Sequence, residues 1–392
     1  MSRYRLTPTE PQAAVLRQHC AHARYVWNLA VEQQSWWRPG RGQAPGYCAQ
    51  ASQLTAARAE HRWLAEGSQM VQQQALRDFA QAMVYYFTGT HRKPTWRKEG
   101  RDEGFRIVAL KAAHVRRVSR NVGQVWIPKA GWIRFRWSKT VPSASSYRVT
   151  WDRAGRWHIA FAAAPAPIQG PGTGEVVGVD RGVAVSAALS TGELLRSPGL
   201  RPTEKARLRR LQRKLSRARR GSARRDRVKA AIAGLKARES DRRRDWVEKT
   251  STSLARRFDL IRIEDLRIGS MTGSAGGTHE RPGRKVRQKT GLNRGILASG
   301  WGMLARRLDD KAPGRVEKIH PAYTSQQCSA CGFVAAESRK SQAVFHCTAC
   351  GYTGNADVNA ARNIAAGHAV TARGGSQLEP MNREPQPLPL SA

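Results

Sequence analysis

The chain has 392 residues, of which 68 are Lys or Arg and 29 are Asp or Glu, so its formal net charge is +39. The length accommodates two or three domains. The charge excludes a protein that works without an anionic partner, because so many like charges repel one another in the compact state. Nucleic acid is the expected partner, since neutralising phosphates releases counterions and favours binding.

A membrane surface is the alternative anionic partner. The sequence contains no run of 18 apolar residues, and it begins with the polar stretch "MSRYRLTPTE". We therefore expect neither a membrane-spanning helix nor a signal peptide. Of the six cysteines, Cys20 and Cys48 are single and the other four form two pairs. This usage favours a reducing cytoplasm and a metal site over a disulfide scaffold.

The first half of the chain changes its hydrophobic period twice. "RYRLTPT" alternates as a short strand does, and apolar residues then recur at helical spacing between residues 10 and 90. From Phe105 to Phe161 the chain is rich in Val, Ile, Trp and Tyr, with a hairpin predicted at Asp152–Gly155. These patterns predict a helical bundle followed by a small antiparallel barrel that the first strand joins. A Pro- and Gly-rich linker, 164–174, ends this half.

A strongly basic segment follows the first strands of the second half. Residues 201–244 contain 19 Lys or Arg and four acids, with leucines at helical spacing and a break at Gly221-Ser222. The segment predicts a helical hairpin, and its charge indicates either a solvated face or a surface that contacts phosphates. Its candidate nucleic-acid-binding residues follow one another at helical spacing and are Arg209, Arg213, Arg217 and Arg220.

The remaining elements are predicted from composition. A third helix ends at Phe258, and "DLIRIEDL" is typical of a buried strand. The glycine-rich, basic stretch 269–291 predicts a mobile loop, followed by one helix at about 294–311. The proline-rich end of the chain, 369–392, predicts a disordered tail.

Four cysteines form the strongest motif. Cys328 and Cys331 lie in "CSACG", and Cys347 and Cys350 lie in "CTACG". Two such knuckles can place four thiolates at the corners of a tetrahedron, which suits a structural Zn²⁺ ion. Free thiols or a redox pair are the alternative, which the doubled motif disfavours.

Three acids form the second set of candidates. Asp180 ends the apolar strand "VVGVD", Glu264 ends "LIRIE", and Asp357 begins the predicted helix "DVNAARNI". Carboxylates at the carboxyl edge of a sheet can bind Mg²⁺ ions that hydrolyse a phosphodiester. Each acid has a structural alternative: a turn residue at Asp180, an ion pair at Glu264 or its replacement by Asp265, and a helix cap at Asp357.

These motifs together resemble one known family. "GVDRGVAVSAALSTGE", "IRIEDL", "YTSQQCSACG" and "CTACGYTGNADVNAARNI", with the opening "YRLTPTEPQAAVLRQHCAHARYVWNLAVEQQ", are similar to the successive signatures of the TnpB (OrfB) family. These are transposon-encoded relatives of the type V CRISPR nucleases. The resemblance spans residues 3 to 366 and fills all seven family positions: the triad Asp180, Glu264 and Asp357, and the zinc ligands Cys328, Cys331, Cys347 and Cys350.

The resemblance implies an α/β multidomain fold with an RNase-H-like (RuvC) nuclease domain. The implied domains are a β-barrel wedge domain (1–10 and 96–165), a helical recognition lobe (11–95), the nuclease domain (175–322 and 353–368, with the basic hairpin 201–244), and an inserted four-cysteine zinc ribbon (323–352). The 269–291 loop and the tail diverge from the family.

The resemblance also implies an activity and its partners. The expected protein is an RNA-guided DNA endonuclease with structural Zn²⁺ and catalytic Mg²⁺. Its partners would be a guide RNA from the transposon end, double-stranded target DNA and a companion transposase, in a bacterial cytoplasm. The alternatives are a DNA-binding regulator without cleavage, a transposase that joins strands, and a zinc-ribbon RNA-binding protein whose acids are structural.

Overall fold

The computed structural model describes residues 2–37, 40, 42, 44–101 and 103–367. The predicted tail, 369–392, lies outside these residues. Among the helices within them, none is both long and apolar enough to cross a membrane. The described chain divides into two compact units, one formed by the residues up to Pro165 together with Arg201–Ala237, the other by Ala166–Leu200 and the residues from Arg238 onward.

The elements up to residue 165 are a first strand, then helices, then further strands. They are β1 Ser2–Thr7, α1 Glu10–Ser35, α2 Tyr47–Glu60, α3 Arg62–Ala65, α4 Gln69–Phe87, β2 Glu103–Val108, β3 Val115–Arg117, β4 Val122–Ile127, β5 Gly131–Arg136, β6 Ser146–Trp151 and β7 Trp157–Phe161.

The seven strands form one antiparallel sheet in the order β2-β6-β7-β1-β5-β4-β3. The predicted return of the first strand is confirmed: residues 2–5 of β1 pair with β7, and Leu6 and Thr7 pair with β5. Among the described residues the two edge strands, β2 and β3, do not pair, so a closed barrel stays a prediction. Helices α1 and α4 pack on the sheet and share its hydrophobic core.

The predicted hairpin between β6 and β7 is confirmed. The Asp152 carboxylate accepts hydrogen bonds from the backbone N–H groups of Ala154 (2.9 Å) and Arg156 (3.0 Å). Gly155 has a φ of +74°, a conformation that glycine adopts at little cost. Side-chain and backbone chemistry at the turn therefore specify its geometry locally.

The elements after residue 165 alternate between sheet and helix. They are β8 Val176–Asp180, β9 Ala187–Leu189, β10 Leu194–Leu195, α5 Pro202–Arg217, α6 Ala223–Arg257, β11 Leu260–Glu264, α7 Ile268–Met271, α8 Val286–Ser299, α9 Trp301–Lys311, β12 Val316–Ile319, β13 Val344–His346, β14 Thr353–Asn355 and α10 Ala356–Ala366.

Five strands form a mixed sheet in the order β10-β9-β8-β11-β12. Strands β8, β11 and β12 run parallel, and β9 and β10 complete the sheet in antiparallel pairs. One face of the sheet packs against α6 and α9 in a single hydrophobic core, which includes Val177, Val179, Ile261 and Ile263. Successive residues of a strand point to opposite faces, so Gly178 and Asp180 belong to the other face.

Three sequence predictions need correction in this half. The hairpin is present, but its second arm does not end near 244; it continues with the predicted third helix as the single 35-residue helix α6. The helix predicted at 294–311 is two helices, because Gly300 has a φ of +83° between α8 and α9. The loop predicted at 269–291 is shorter, since α7 and α8 take up its ends.

Candidate active site and cysteine cluster

Two of the three predicted acids lie side by side at the carboxyl edge of the mixed sheet. Strands β8 and β11 are parallel neighbours, and Val179 pairs with Ile263. The next residue along each strand is Asp180 and Glu264, respectively. Because Val179 and Ile263 face the hydrophobic core, the pleat directs both acids to the opposite face. The apolar residues of "VVGVD" and "LIRIE" thus determine the face on which the acids lie.

Helix α10 brings the third acid to the same face. It packs on β8 at Gly178, where an added Cβ would clash with the main chain of Ala361 and Ala365. Asn355 caps the helix by accepting hydrogen bonds from the N–H groups of Asp357 (3.0 Å) and Val358 (3.1 Å). Asn355, and not Asp357, therefore supplies the helix cap, which removes the structural alternative for this acid.

Burial and neighbouring charges act on all three carboxylates. Burial raises the pKa of Asp180 to about 8, and the charges of Glu264 and Asp357 add to that shift. Burial also raises the pKa of Glu264 and that of Asp357. Like charges in a buried site disfavour ionisation unless a cation compensates them. Carboxylate oxygens are the ligands that Mg²⁺ prefers, which makes the three acids candidate ligands for such a cation.

One cationic group and one hydroxyl group that the sequence analysis did not predict contact these acids. The Arg339 guanidinium pairs with the Asp357 carboxylate at 3.3 Å, and the Thr324 hydroxyl donates to Glu264 Oε1 at 3.0 Å. Asp265, the sequence alternative to Glu264, is exposed, whereas Glu264 is buried. No sequence signal identifies Arg339 among so many arginines, because its role depends on where the cysteine-containing segment lies.

The four cysteines converge in a second cluster. Their sulfur atoms all lie within 4.8 Å of one another, with Cys328 to Cys350 at 3.8 Å and Cys331 to Cys347 at 3.6 Å. Four sulfurs at about 2.3 Å from a tetrahedral Zn²⁺ ion would be separated by about 3.8 Å. The spacing thus fits a closed tetrahedral site without rearrangement.

Backbone geometry explains why each pair of cysteines precedes a glycine. Gly332 and Gly351 have φ values of +77° and +73°, and their N–H groups donate to the carbonyl oxygens of Cys328 (2.9 Å) and Cys347 (3.1 Å). The Cys350 N–H also donates to Cys347 Sγ, which holds the pKa of that thiol down at about 6. A thiolate is the metal-binding form, so this hydrogen bond favours the binding form of Cys347.

The remaining cysteines and the nearby histidine lie outside the cluster. His346 shares a 2.8 Å hydrogen bond with Thr353 between β13 and β14. Cys20 is buried in α1, and burial raises the pKa of its thiol to about 12. Cys48 is exposed on α2. None of these three is part of the four-sulfur cluster.

Asparagines of α10 connect the cysteine segment to the acids. Asn359 accepts from the N–H of Ser329 (2.9 Å) and donates to the carbonyl of Gln327 (2.7 Å). Asn363 donates to the carbonyl of Thr324 at 2.9 Å. The first knuckle is therefore fixed to the helix that carries Asp357, and Thr324 in turn contacts Glu264. The pattern "NADVNAARNI" encodes both the acid and the anchors of the cysteine segment.

The basic hairpin presents its arginines to solvent. Helix α5 has no buried residue, and Arg209, Arg213 and Arg217 recur on one exposed face of it. Arg220 is also exposed, but it lies in the turn after the helix. The turn is held by Arg225, which donates to the carbonyls of Leu215 (2.8 Å) and Ala218 (3.0 Å). The four candidates thus lie on the exposed surface of α5 and of the turn that follows it.

Three family models match successive parts of the chain. Residues 2–43 match a helix-turn-helix domain, residues 162–275 match a model described as "Probable transposase", and residues 301–364 match a Cas12f1-like TNB domain. The second model contains Asp180 and Glu264, and the third contains all four clustered cysteines and Asp357. The matches therefore include both candidate clusters.

Two curated relatives are similar over nearly the whole chain. The "Putative RNA-guided DNA endonuclease InsQ" of Escherichia coli K12 is 34% identical over 98% of this chain and 96% of its own length. The "Putative RNA-guided DNA endonuclease" of Streptomyces pristinaespiralis is 31% identical over 95% of this chain and 90% of its own.

Among solved structures, a Cas12f1–sgRNA–target DNA complex is similar in fold. Its protein matches with a TM-score of 0.56 at 14% identity, covering 91% of this chain and 83% of that one. The shared fold, the matching models and the full-length relatives agree with one another. This chain belongs to the TnpB (OrfB) family, the transposon-encoded relatives of type V CRISPR effectors.

Proposed function

We propose that this protein is the RNA-guided DNA endonuclease of a transposable element, which cuts target DNA beside a short adjacent motif. The observation that carries the proposal is the convergence of Asp180, Glu264 and Asp357 on one face of the mixed sheet. Composition also indicates an anionic partner such as nucleic acid, because a net charge of +39 requires neutralisation. The two full-length relatives carry the name of this activity.

The three acids would hold Mg²⁺ in the nuclease reaction. Bound metal would supply an activated water and stabilise the leaving oxygen of the phosphodiester. The carboxylates orient the site because two of them are fixed at strand ends and the third at a capped helix start. Arg339 pairs with Asp357, and in the proposed reaction its guanidinium would contact a phosphate oxygen once that acid binds the metal.

The four cysteines would hold a structural Zn²⁺ ion. Their closed, four-sulfur set leaves no position for substrate. The consequence for catalysis is indirect: the segment that the cysteines organise contains Arg339, and its first knuckle is hydrogen-bonded to α10. Zinc would therefore keep Arg339 and the first knuckle in place beside the acids.

Each domain that the family resemblance implies would correspond to one part of the observed fold. The mixed sheet with α10 would be the RNase-H-like (RuvC) nuclease domain, residues 323–352 its inserted zinc ribbon, the antiparallel sheet the wedge domain, and α1–α4 the recognition lobe. A guide RNA from the transposon end and double-stranded target DNA would be the partners, with base pairing reading the target sequence. A companion transposase would move the element.

Two other functions remain as alternatives with distinct chemistry. A regulator that binds guided DNA without cutting would lack one of the acids, but all three are present. A transposase that joins strands is favoured by the description of the model that matches 162–275. The two alternatives predict bound but intact DNA and joined products, respectively.

One experiment separates these functions. The protein is purified with its RNA, the RNA is sequenced, and supercoiled plasmids with matched or scrambled target sequence are incubated with Mg²⁺. We expect cutting of the matched plasmid alone. Cutting of both plasmids would overturn RNA guidance, intact but bound matched plasmid would support the regulator, and joined strands would support the transposase.

A further inference from the structure

A short segment beside α1 holds a tryptophan outward. The Thr95 carbonyl accepts a 2.9 Å hydrogen bond from the Trp27 indole N–H. Asn28 pairs with both backbone groups of Arg97, donating at 3.0 Å and accepting at 2.7 Å. The Arg97 guanidinium stacks over the Trp27 ring at 3.7 Å. These contacts fix the backbone on both sides of Trp96, whose side chain is nevertheless 53% exposed.

Trp96 forms one wall of a cavity that two other exposed rings share. The cavity has a volume of about 490 Å³ and is lined by Tyr25, Asn28, Glu32, Trp63 and Trp96, among others. Tyr25 and Trp63 lie edge to face with centroids 5.0 Å apart, and they are 43% and 44% exposed. Exposed aromatic rings around a cavity of this size suit a flat ligand that stacks on them.

An acid in the same cavity selects the kind of ligand. Glu32 follows Tyr25 and Asn28 along one face of α1, one turn beyond Asn28. Its carboxylate has no hydrogen-bond or ion-pair partner among the described residues. An ionised carboxylate only accepts hydrogen bonds, so at Glu32 the ligand should offer N–H or O–H donors. Arg24, which also lines the cavity, is paired with Glu103 through one of its guanidinium nitrogens.

Guanine fits this requirement better than the other bases. Its pairing edge presents the N1–H and the 2-amino group side by side, and a carboxylate can accept from both. Adenine and cytosine place a ring acceptor next to their amino group, and uracil flanks its N–H with two carbonyls. A carboxylate would face an unfavourable acceptor in each of those three bases.

Cations flank the aromatic segment. Arg92 and Lys93 precede Trp96 and Lys98 follows it, and all three side chains are exposed. Proteins commonly bind unpaired nucleotides with exposed aromatic rings, on which the bases stack, and with flanking cations, which contact the phosphates. The cavity therefore has the features of a site for one nucleotide within a strand.

We propose that this cavity binds the base of an unpaired guanosine in the RNA that the protein carries. The choice of RNA rests on the proposed function. In that function the sequence of the displaced DNA strand varies with the target, and the adjacent motif stays paired. The constant part of the guide RNA is the strand that can offer the same unpaired base every time, in a loop or bulge.

The first test measures base preference with short labelled oligonucleotides, independently of cleavage. We expect wild-type protein to bind UUGUU about tenfold more tightly than UUAUU, with the inosine analogue between them because it lacks the 2-amino group. Glu32→Gln should abolish the preference, and Trp96→Ala should weaken UUGUU by about tenfold. Equal binding of UUGUU and UUAUU by wild type would overturn the guanine assignment.

Matched controls separate the cavity from general attraction to a basic protein. Glu60→Gln removes an exposed helical carboxylate elsewhere, and Trp126→Ala removes a tryptophan that is 40% exposed on β4. Both should keep the wild-type preference. If either control loses it as Glu32→Gln does, the effect is not specific to the cavity and the proposal fails.

The second test identifies the strand. The purified complex is irradiated, with and without target DNA, and the peptide containing Trp96 is analysed by mass spectrometry. We expect a guanosine adduct from RNA in both samples. An adduct from DNA alone would overturn the RNA assignment, and an adduct from another nucleoside would overturn the guanine assignment. Plasmid cleavage measured in parallel shows whether the proposed nuclease function fails separately.

Discussion

The acid cluster and the cysteine cluster both gather groups that repel one another, but they depend on the fold in different ways. Asp180 and Glu264 end strands of a sheet whose hydrophobic core includes Val179, Ile263 and helices α6 and α9. The cysteine segment buries far less: its hydrophobic cluster consists of Cys328, Phe345, Cys347 and Ala356, with Tyr352 packed against it.

The acid site therefore depends on the hydrophobic core of the sheet, whereas the fold of the cysteine segment depends on the cysteines themselves. The acids are kept together by burial of their neighbours, so they remain close even though their charges oppose it. The cysteines are themselves half of the small core around them. A metal at the acids would act in chemistry, whereas a metal at the cysteines would supply most of the local folding free energy.

The largest expected effect comes from removing an acid. Asp180→Ala, Glu264→Ala and Asp357→Ala should each lower plasmid cleavage by about 10³-fold or more, since metal stabilisation of the transition state contributes several kcal/mol. Guide and target binding should persist, because affinity comes mainly from basic surface. Cleavage rates and gel-shift affinities check this. Asp265→Ala changes an exposed neighbour of Glu264 and is the control, which should cut normally. Full cutting by any of the three variants would show that the substituted acid is not a catalytic residue.

The next effect tests whether the cysteine segment depends on its metal. Cys347→Ser should lose bound zinc, which elemental analysis measures, and residues 323–352 should lose protection from hydrogen exchange. The strands of the mixed sheet should stay protected because their core does not include this segment. Cleavage should also fall, since Arg339 would leave Asp357. Cys48→Ser is the matched control; wild-type protein without zinc would contradict the assignment.

A smaller effect tests whether the acids are held against their own repulsion. Because the folded pKa of Asp180 is raised to about 8 from an ordinary 3.8, the folded state binds its proton more tightly than the unfolded state does. Without metal, wild-type stability should therefore rise as the pH falls from about 8 towards 4, as far as this group is concerned. Asp180→Asn should melt at a higher temperature than wild type at pH 8 in EDTA.

Thermal melting with and without Mg²⁺ gives the control for this prediction. Mg²⁺ should stabilise wild type and have little effect on Asp180→Asn, because a bound ligand stabilises only the state that binds it. Asp265→Asn should behave as wild type does. A lower melting temperature for Asp180→Asn in EDTA would mean that the Asp180 carboxylate stabilises the fold, so that the acids are not held against their repulsion.

The smallest effect concerns the basic hairpin, whose first helix, α5, has no buried residue. Changing Arg209, Arg213, Arg217 and Arg220 together to Gln should flatten the salt dependence of nucleic-acid binding by roughly 0.7–0.9 in log–log slope per lost phosphate contact. Binding at five salt concentrations measures the slope. The quadruple Lys variant keeps the charge and should keep the slope, whereas parallel lines for the Gln variant and wild type would make the hairpin a solvated face.

Local chemistry made much of this structure predictable. The apolar segments "VVGVD" and "LIRIE" predicted two strands that end in acids, and the repeated Cys-x-x-Cys-Gly predicted a four-sulfur cluster that the structure contains. Helix junctions were predicted less well. The split comes from the left-handed φ of Gly300 between α8 and α9, whereas α6 continues without a break past residue 244, where the predicted hairpin ended.

The sequence by itself determined which groups are available, because residue type and spacing fix side-chain chemistry and the face of a strand. Tertiary structure alone decided which groups meet. Asp180, Glu264 and Asp357 are separated by 84 and 93 residues of chain, and only the parallel pairing of β8 with β11 and the close approach of α10 at Gly178 bring them together. Arg339 and Thr324 belong to the site for the same reason: the asparagines of α10 hold their segment there, and no local pattern specifies that contact.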